Sequence, residues 1–175
     1  MDNSIEVINN LVLDLSLAST LPIGAGERDL LHASAAANSL ACRTKEMNIK
    51  ELRTFEWTIK PLLDILIIDL DNPVSSKAAL GLRMLMPSRI CISRLIEVDG
   101  LRVIARVLDI LLAKCVHEMK TPGNPRSIVE NLAVCYREIA RFYQWKIVDV
   151  GAIRHCVILL RFGDTALKTI TLVVF

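Results

Sequence analysis

The sequence predicts an all-α fold in which short helices stack into an α-solenoid, and three observations carry that reading. Gly151-Ala152-Ile153-Arg154-His155-Cys156-Val157-Ile158-Leu159-Leu160 is a glycine-opened apolar helix, followed by a tight break at Gly163-Asp164. Ile96-Glu97-Val98-Asp99-Gly100-Leu101 introduces a comparable helix, as Ile147-Val148-Asp149-Val150-Gly151-Ala152 introduces the later one, and the two glycines are 51 residues apart. A third start, without glycine, at Trp57-Thr58-Ile59-Lys60-Pro61-Leu62-Leu63 lies about 42 residues before Gly100. Self-similarity at such a period marks helical repeats that bury a core only by stacking on their neighbours.

The elements follow in chain order. Ile5, Ile8, Leu11, Val12 and Leu15 recur at helical spacing, so Ser4 to Ser19 is a helix that Ser4 caps. Thr20-Leu21-Pro22-Ile23-Gly24-Ala25-Gly26 breaks it, and a second helix runs from about Glu27 to Arg43, with Ala33, Ala35, Ala36 and Ala37 permitting close approach. Ile49 to Trp57 is a short helix, Pro61 opens a middle one, and Asn72-Pro73 starts a longer one with Ala78, Ala79, Leu82, Leu85 and Met86 on its apolar stripe, ending near Pro87. The order then repeats: Ile90 to Val98 short, Leu101 to about Met119 middle, Ser127 to about Tyr143 long. A third set follows, with Gln144 to Val150, Ala152 to Phe162, and a last helix from Asp164 to Phe175. The breaker run Lys120-Thr121-Pro122-Gly123-Asn124-Pro125 is expected to protrude as a loop and to carry contacts. Thr171-Leu172-Val173-Val174-Phe175 closes on an apolar face with no polar cap, so the solenoid is expected to be truncated at its C-terminal end or covered there by a partner.

Composition narrows the class. Hydrophobic residues make up 53% of the 175 residues and mean hydropathy is +0.43, high enough to imply helices covered on more than one side. No bilayer span is expected, because Leu62–Asp71 carries Asp64, Asp69 and Asp71 where a span needs about 20 mostly apolar residues. The acidic opening Met1-Asp2-Asn3-Ser4-Ile5-Glu6 argues against a secretory leader. Cys42, Cys91, Cys115, Cys135 and Cys156 form no Cys-x-x-Cys pair and read as small buried hydrophobes of an intracellular reducing compartment, cytoplasmic or nuclear. Net charge is +2 but uneven: residues 1–75 hold 6 Lys/Arg against 11 Asp/Glu, and residues 76–175 hold 15 against 8. The basic half suits an acidic partner.

Asn72-Pro73, Ala78-Ala79-Leu80-Gly81-Leu82-Arg83-Met84-Leu85 and Ile96-Glu97-Val98-Asp99-Gly100-Leu101, together with Gly151-Ala152-Ile153 and Val157-Ile158-Leu159-Leu160 before Gly163-Asp164, resemble the armadillo repeat family over roughly residues 49–175. The resemblance implies a right-handed superhelix of three-helix units: residues 1–48 as an N-terminal cap of two helices, residues 49–175 as two and a half to three repeats. In peptide-binding members of that family the long helix carries a Trp and, four residues on, an Asn that bonds the peptide backbone. The matching positions here are Leu80 and Met84, then Val134 and Glu138, so that ladder is absent. What the resemblance implies is a scaffold or adaptor for protein partners.

Chemical constellations are thin. Cys115-Val116-His117 and His155-Cys156 offer two thiols and two imidazoles, but on equivalent middle helices they are offset by about 16 Å along the axis, so buried thiols and partly exposed histidines are expected, with no metal. His155 beside Cys156 faces another side of the helix and makes no nucleophile–base pair. Gly24-Ala25-Gly26 lacks the rest of a phosphate loop, and Asp64, Asp69 and Asp71 read as a solvated helix end. No catalytic residue and no cofactor are expected.

The arginines remain. Arg102 and Arg106 are four apart on one helix, as are Arg137 and Arg141, and each pair shares a face. Arg83, Arg137 and Arg141, with Arg102 and Arg106, are therefore the expected partner-binding residues, and the Pro122–Pro125 loop a second contact. A partner protein or acidic peptide along the solenoid groove is expected. Nucleic acid is disfavoured by a pI of 8.3 and by Phe142, Tyr143 and Trp145 being the aromatics near the arginines, where they are expected to wedge units together. The alternative is a structural subunit of a larger assembly, packed end to end with another subunit.

Overall fold

The computed structural model describes residues 35–40, 42, 44, 47–115 and 124–172. The described residues are all-helical in class, 86% of them in helix, with no strand among them. Outside them lie the helix expected over Ser4–Ser19, the turn at Thr20–Gly26, much of the helix expected over Glu27–Arg43, His117, Pro122–Gly123 and the chain end at Val173–Phe175.

Residues 35–40 are helical, and Ala36, Ala37 and Leu40 are buried. Next come α1 (Ile49–Leu52), a 3-10 segment Arg53–Thr58, α2 (Ile59–Leu66) and α3 (Pro73–Leu85). They are followed by α4 (Arg89–Glu97), α5 (Gly100–Cys115), α6 (Asn124–Asp149), α7 (Ala152–Phe162) and α8 (Thr165–Leu172). The local reasons are in the sequence. Asn48 and Glu51 close a reciprocal capping box at α1. Asn72 accepts the Val74 N–H at 3.0 Å with Pro73 at the first helical position of α3. The Gly163 N–H closes α7 on the Leu159 carbonyl at 2.8 Å, and Asp164 accepts the Leu167 N–H at 3.0 Å to cap α8.

Taken in the sets expected from the sequence, helices pack on their counterparts, but the short, middle and long order is not kept: α2 is shorter than the Ile49–Thr58 segment before it, and α3 is shorter than α5. α4 lies on the 3-10 segment, α5 on α2, α7 on α5, α6 on α3 and α8 on α6. Cross-set bonds keep a nearly constant offset: Ser76 to Ser127, 51 residues apart; Arg83 to Asn131, 48; Ser93 to Tyr143, 50. One apolar core runs through the sets from Ala36 to Leu167 without interruption. Each set thus covers the apolar face its predecessor leaves bare.

Four further details differ from the sequence expectation. The first short helix becomes a 3-10 turn after Leu52, and Pro61 sits third in α2 rather than first, in a helix that continues directly from that turn, with the Ile59 N–H bonded to the Glu56 carbonyl. Gln144 to Val150 is not separate: α6 runs on to Asp149 through a non-helical Tyr143 (φ −140°, ψ 50°). Cys42 is exposed, unlike the buried Cys91, Cys135 and Cys156.

Gly100 and Gly151 are not equivalents either. The left-handed residue that launches the middle helix is Asp99 (φ 58°) in one set and Gly151 (φ 81°) in the next. Gly100 is instead a close-approach glycine: a Cβ there would lie 2.8 Å from Leu63 and 2.9 Å from Leu95. Gly151→Ala, in open space but in the left-handed region, is expected to lower unfolding free energy by about 1–2 kcal/mol, read as a shifted urea midpoint at constant m.

Asp164 gives a pH-dependent term. The Leu167 N–H, then Arg126, hold its carboxyl below its ordinary 3.8. A folded-state value below the unfolded one means stability that is present above pH 3.8 and lost as pH falls through the folded value. Asp164→Ala is therefore expected to cost about 1 kcal/mol at neutral pH, with parent and variant converging in acid, as measured by denaturant titrations across pH.

Candidate protein-interaction surface

The contact between the long helices α3 and α6 builds the principal polar surface. Ser76 Oγ donates to Ser127 Oγ at 3.0 Å, and Asn124 Nδ2 to the Asp71 carbonyl at 3.0 Å, so the N-terminal ends are pinned. Asn124 and Pro125, expected at the end of the protruding loop, instead open α6, while Pro122 and Gly123 lie outside the described residues. One or two turns further on, Arg83 Nη1 donates to Asn131 Oδ1 at 3.2 Å, while Asn131 Nδ2 donates to the Ser127 carbonyl at 2.9 Å. Asn131 is buried yet both ends of its amide are used.

Beyond Asn131 lies Glu138, only 7% exposed. Arg137 gives it Nε at 3.0 Å and Nη2 at 2.7 Å on one carboxylate oxygen, and Arg141 gives Nη1 at 2.7 Å on the other. A buried carboxylate needs such partners, because its charge has left water. The triad carries a net positive charge and fixes two guanidinium groups. Arg137 is largely consumed by the contact, whereas Arg141 stays 61% exposed and has further N–H groups to offer. Cys135, beneath this surface, has its thiol pushed up to about 12 by burial, an effect the nearby Arg83 charge opposes.

The other predicted residues lie elsewhere. Arg102 and Arg106 are exposed on the middle helix α5, and Arg102 pairs with Asp99 at 3.5 Å. They share a face of α5, as their spacing implied, but on a different row of helices from Arg83, Arg137 and Arg141.

Where α7 meets α5 and α6, a buried histidine joins a polar cluster with the exposed Asp109 and the buried Tyr136. His155 Nε2 lies 3.0 Å from Asp109 Oδ1 and Nδ1 lies 3.4 Å from the Tyr136 hydroxyl, with the two rings stacked at 6.2 Å. His155 is 2% exposed, not partly exposed as the sequence suggested. The bonds tie α7 to α5 and α6, so the histidine is a fastener between sets. Burial raises the Cys156 thiol beside it to about 11, far from nucleophilic. Among the described residues no group of three or more His, Cys, Asp or Glu is placed to hold a metal ion; the Cys115 side chain and His117 lie outside them. No described helix is long and apolar enough to cross a membrane.

The aromatics divide. Tyr143 does wedge sets together, its hydroxyl 3.0 Å from Ser93 Oγ, with the Ser93 and Arg89 contacts holding its pKa below the ordinary value. Phe142 and Trp145 do not: they are 49% and 79% exposed. The turn at Tyr143 swings them outward, Phe142 beneath the Arg89 guanidinium at 5.7 Å. Beside them Ala140, the post-kink segment of α6 and the first turn of α7 line a half-open slot of about 170 Å³. Sequence reasoning missed three features here: Glu138 as the anchor of two arginines, Asn131, and this cavity. The first had a signal, Arg137-Glu138 with Arg141 three residues on.

With this geometry in hand, comparison with known proteins adds no further constraint: no protein-family model, curated protein or solved structure matches the chain.

The triad makes a stability prediction. Arg137→Ala with Arg141→Ala strands Glu138 and is expected to cost about 3 kcal/mol; adding Glu138→Gln to that pair recovers most of the loss, as chemical denaturation of the double and triple variants would show.

Proposed function

We propose that the chain is an armadillo-like, right-handed α-solenoid acting as a non-enzymatic scaffold, which holds an acidic stretch of a partner protein along the face made by its long helices. The observation that carries this reading is the convergence of Arg83, Arg137 and Arg141 on the α3–α6 surface around Asn131 and Glu138. Guanidinium forks match carboxylates bidentately, and a fork already held by a buried acid loses less rotamer freedom when a ligand arrives. Stacking of like helices over an uninterrupted core supports the solenoid part of the proposal. Buried free thiols at Cys91, Cys135 and Cys156 fit a reducing compartment.

A second reading, a structural subunit packed against another subunit, is favoured by one observation: the last set exposes Val157 at 57% and Leu172 at 66%. The two readings differ in what removes binding. The scaffold needs charge, whereas the subunit needs apolar surface and would self-associate or aggregate in isolation.

The charge-reversed pair Arg137→Glu with Arg141→Glu would also expose Glu138 to repulsion, so it confounds binding with folding. Arg83→Gln with Arg141→Gln leaves both Arg137 bonds to Glu138 in place. In fluorescence anisotropy with a labelled Asp/Glu/Ser peptide, this pair is expected to weaken binding about tenfold or more with unchanged circular dichroism, and salt should weaken the parent similarly. Unaltered affinity in the variant would remove the scaffold reading in favour of the subunit.

A further inference from the structure

We infer that the cavity beside Trp145 is an anchor pocket, which takes one branched aliphatic or phenyl side chain of the acidic partner segment and sets its register on the arginine face. The inference rests on the scaffold reading and names the ligand more narrowly: an acidic peptide with a single apolar anchor.

The cavity arises from the turn at Tyr143. A straight α6 would continue its apolar stripe along α7; the non-helical Tyr143 instead re-aims the last turn and opens a slot walled by Gln144, Trp145, Ile147, Val148, Ala152 and Ile153. Its volume of about 170 Å³ is close to the roughly 150 Å³ that accepts a benzene ring in an apolar protein cavity. Trp145 and Ile153 form the rim, 79% and 47% exposed, whereas Ala152 and Ile147 form the floor and are buried. An aromatic rim over an aliphatic floor is the arrangement that holds an anchor residue, with the burial of one such side chain supplying most of its affinity.

Charge identifies the occupant. A second, more open depression of about 380 Å³ shares Ala140, Gln144 and Trp145 with the slot and therefore adjoins it, and its walls include Arg141 and Lys146. Neither depression has an acidic wall. Glu138, the acid nearest in sequence on the upstream side of the turn, is already engaged by Arg137 and Arg141; Asp149 lies downstream at the end of α6. Arg89 adds a further cation over Phe142. An uncharged apolar peptide would leave this rim unmatched, and a basic one would be repelled. A second copy of the chain would have to bring an acidic apolar segment of its own.

The two halves of the surface then divide the work. Arg83 and Arg141 attract and orient the acidic run; the slot admits one side chain and so decides which residue of that run sits where. Specificity would come from the slot, since exposed cations discriminate poorly among acidic sequences.

The test uses the full chain and two labelled acidic peptides that differ at one central residue, leucine in one and alanine in the other, in fluorescence anisotropy. The leucine peptide is expected to bind about tenfold more tightly. Trp145→Ala with Ile153→Ser, both at exposed rim positions, is expected to erase that preference by weakening the leucine peptide alone. In the Trp57→Phe chain, where Trp145 is the sole tryptophan, the leucine peptide should shift the emission to the blue and the alanine peptide should not. Equal binding of both peptides by the parent overturns the pocket while leaving the charge-based scaffold intact; failure of both to bind overturns the two together. Two other results also overturn it: rim-dependent dimerisation in sedimentation without peptide, which assigns the slot to a second copy, and rim-dependent binding to phosphatidylserine vesicles with no peptide preference, which assigns it to a lipid surface.

Discussion

Two long helices, Pro73–Leu85 and Asn124–Asp149, are apolar on more than one side, and neither can be covered by the helices of its own set alone. Their contact removes part of that area from water, and small residues are buried along both helices: Ala78 and Ala79 on one, Ala133 and Ala140 on the other, while Ser75 turns to the Ile65 and Asp69 carbonyls at and just beyond the end of α2. Burial of apolar area, worth about 25 cal/mol per Å², is the main favourable term in folding, and that of α3 with α6 is the most extensive helix–helix contact among the described residues. Bonds such as Ser76 to Ser127 add little net energy but fix register, since a one-residue slide would leave buried polar groups unpaired. The positions of Arg83, Asn131, Glu138 and Arg141 all follow from that register.

Glu138 illustrates how stability and function compete at one residue. Burying a carboxylate with two guanidiniums rarely stabilises more than an apolar replacement would, yet removing the partners is expensive. The arrangement therefore makes sense as positioning: it fixes two flexible arginines and leaves Arg141 facing outward. The same logic explains why the basic half of the chain is less basic at its surface than its composition suggests. Glu97, Asp99, Asp109, Glu130, Glu138 and Asp164 are each tied to a basic side chain or, for Asp109, to His155. Even on the face of Arg83, Arg137 and Arg141, one acid, Glu138, is present and already engaged.

How much of this was legible in the sequence depends on range. Local chemistry was: Pro73 after Asn72, and Ala152–Phe162 between two glycine breaks, give element bounds that match the structure. Most helix starts and breaks were legible because apolar spacing and breakers are local too, whereas the short, middle and long lengths were not: α2 is shorter than the Ile49–Thr58 segment before it. What failed depended on partners distant in the chain. The turn at Tyr143 has no proline or glycine to announce it; the Tyr143 hydroxyl is met by Ser93, 50 residues away. Gly100 and Gly151 look alike as letters but answer different constraints, a crowded neighbour in one case and a left-handed backbone in the other. His155 is buried because Asp109 and Tyr136 come from the preceding set. The arginine pairs were visible by spacing, but the division of Arg102 and Arg106 from the other three required knowing which helices share a row.

The turn at Tyr143 joins these threads. Were α6 straight through residue 143, the stripe that includes Ile147 would continue in the direction set by Ala140, and the third set could not seat α7 against α5, where His155 reaches Asp109. The change of direction lets Ile147 and Ala152 enter the core while Phe142 and Trp145 are turned out. Stacking a further set on α6 thus requires a local departure from helix, and that departure leaves both the exposed aromatics and the cavity between α6 and α7. An apolar slot beside a basic rim is in this sense a by-product of propagating the stack. Only the exposed rim, Trp145 and Ile153, is free to vary without disturbing the packing, because the floor residues Ile147 and Ala152 belong to the core.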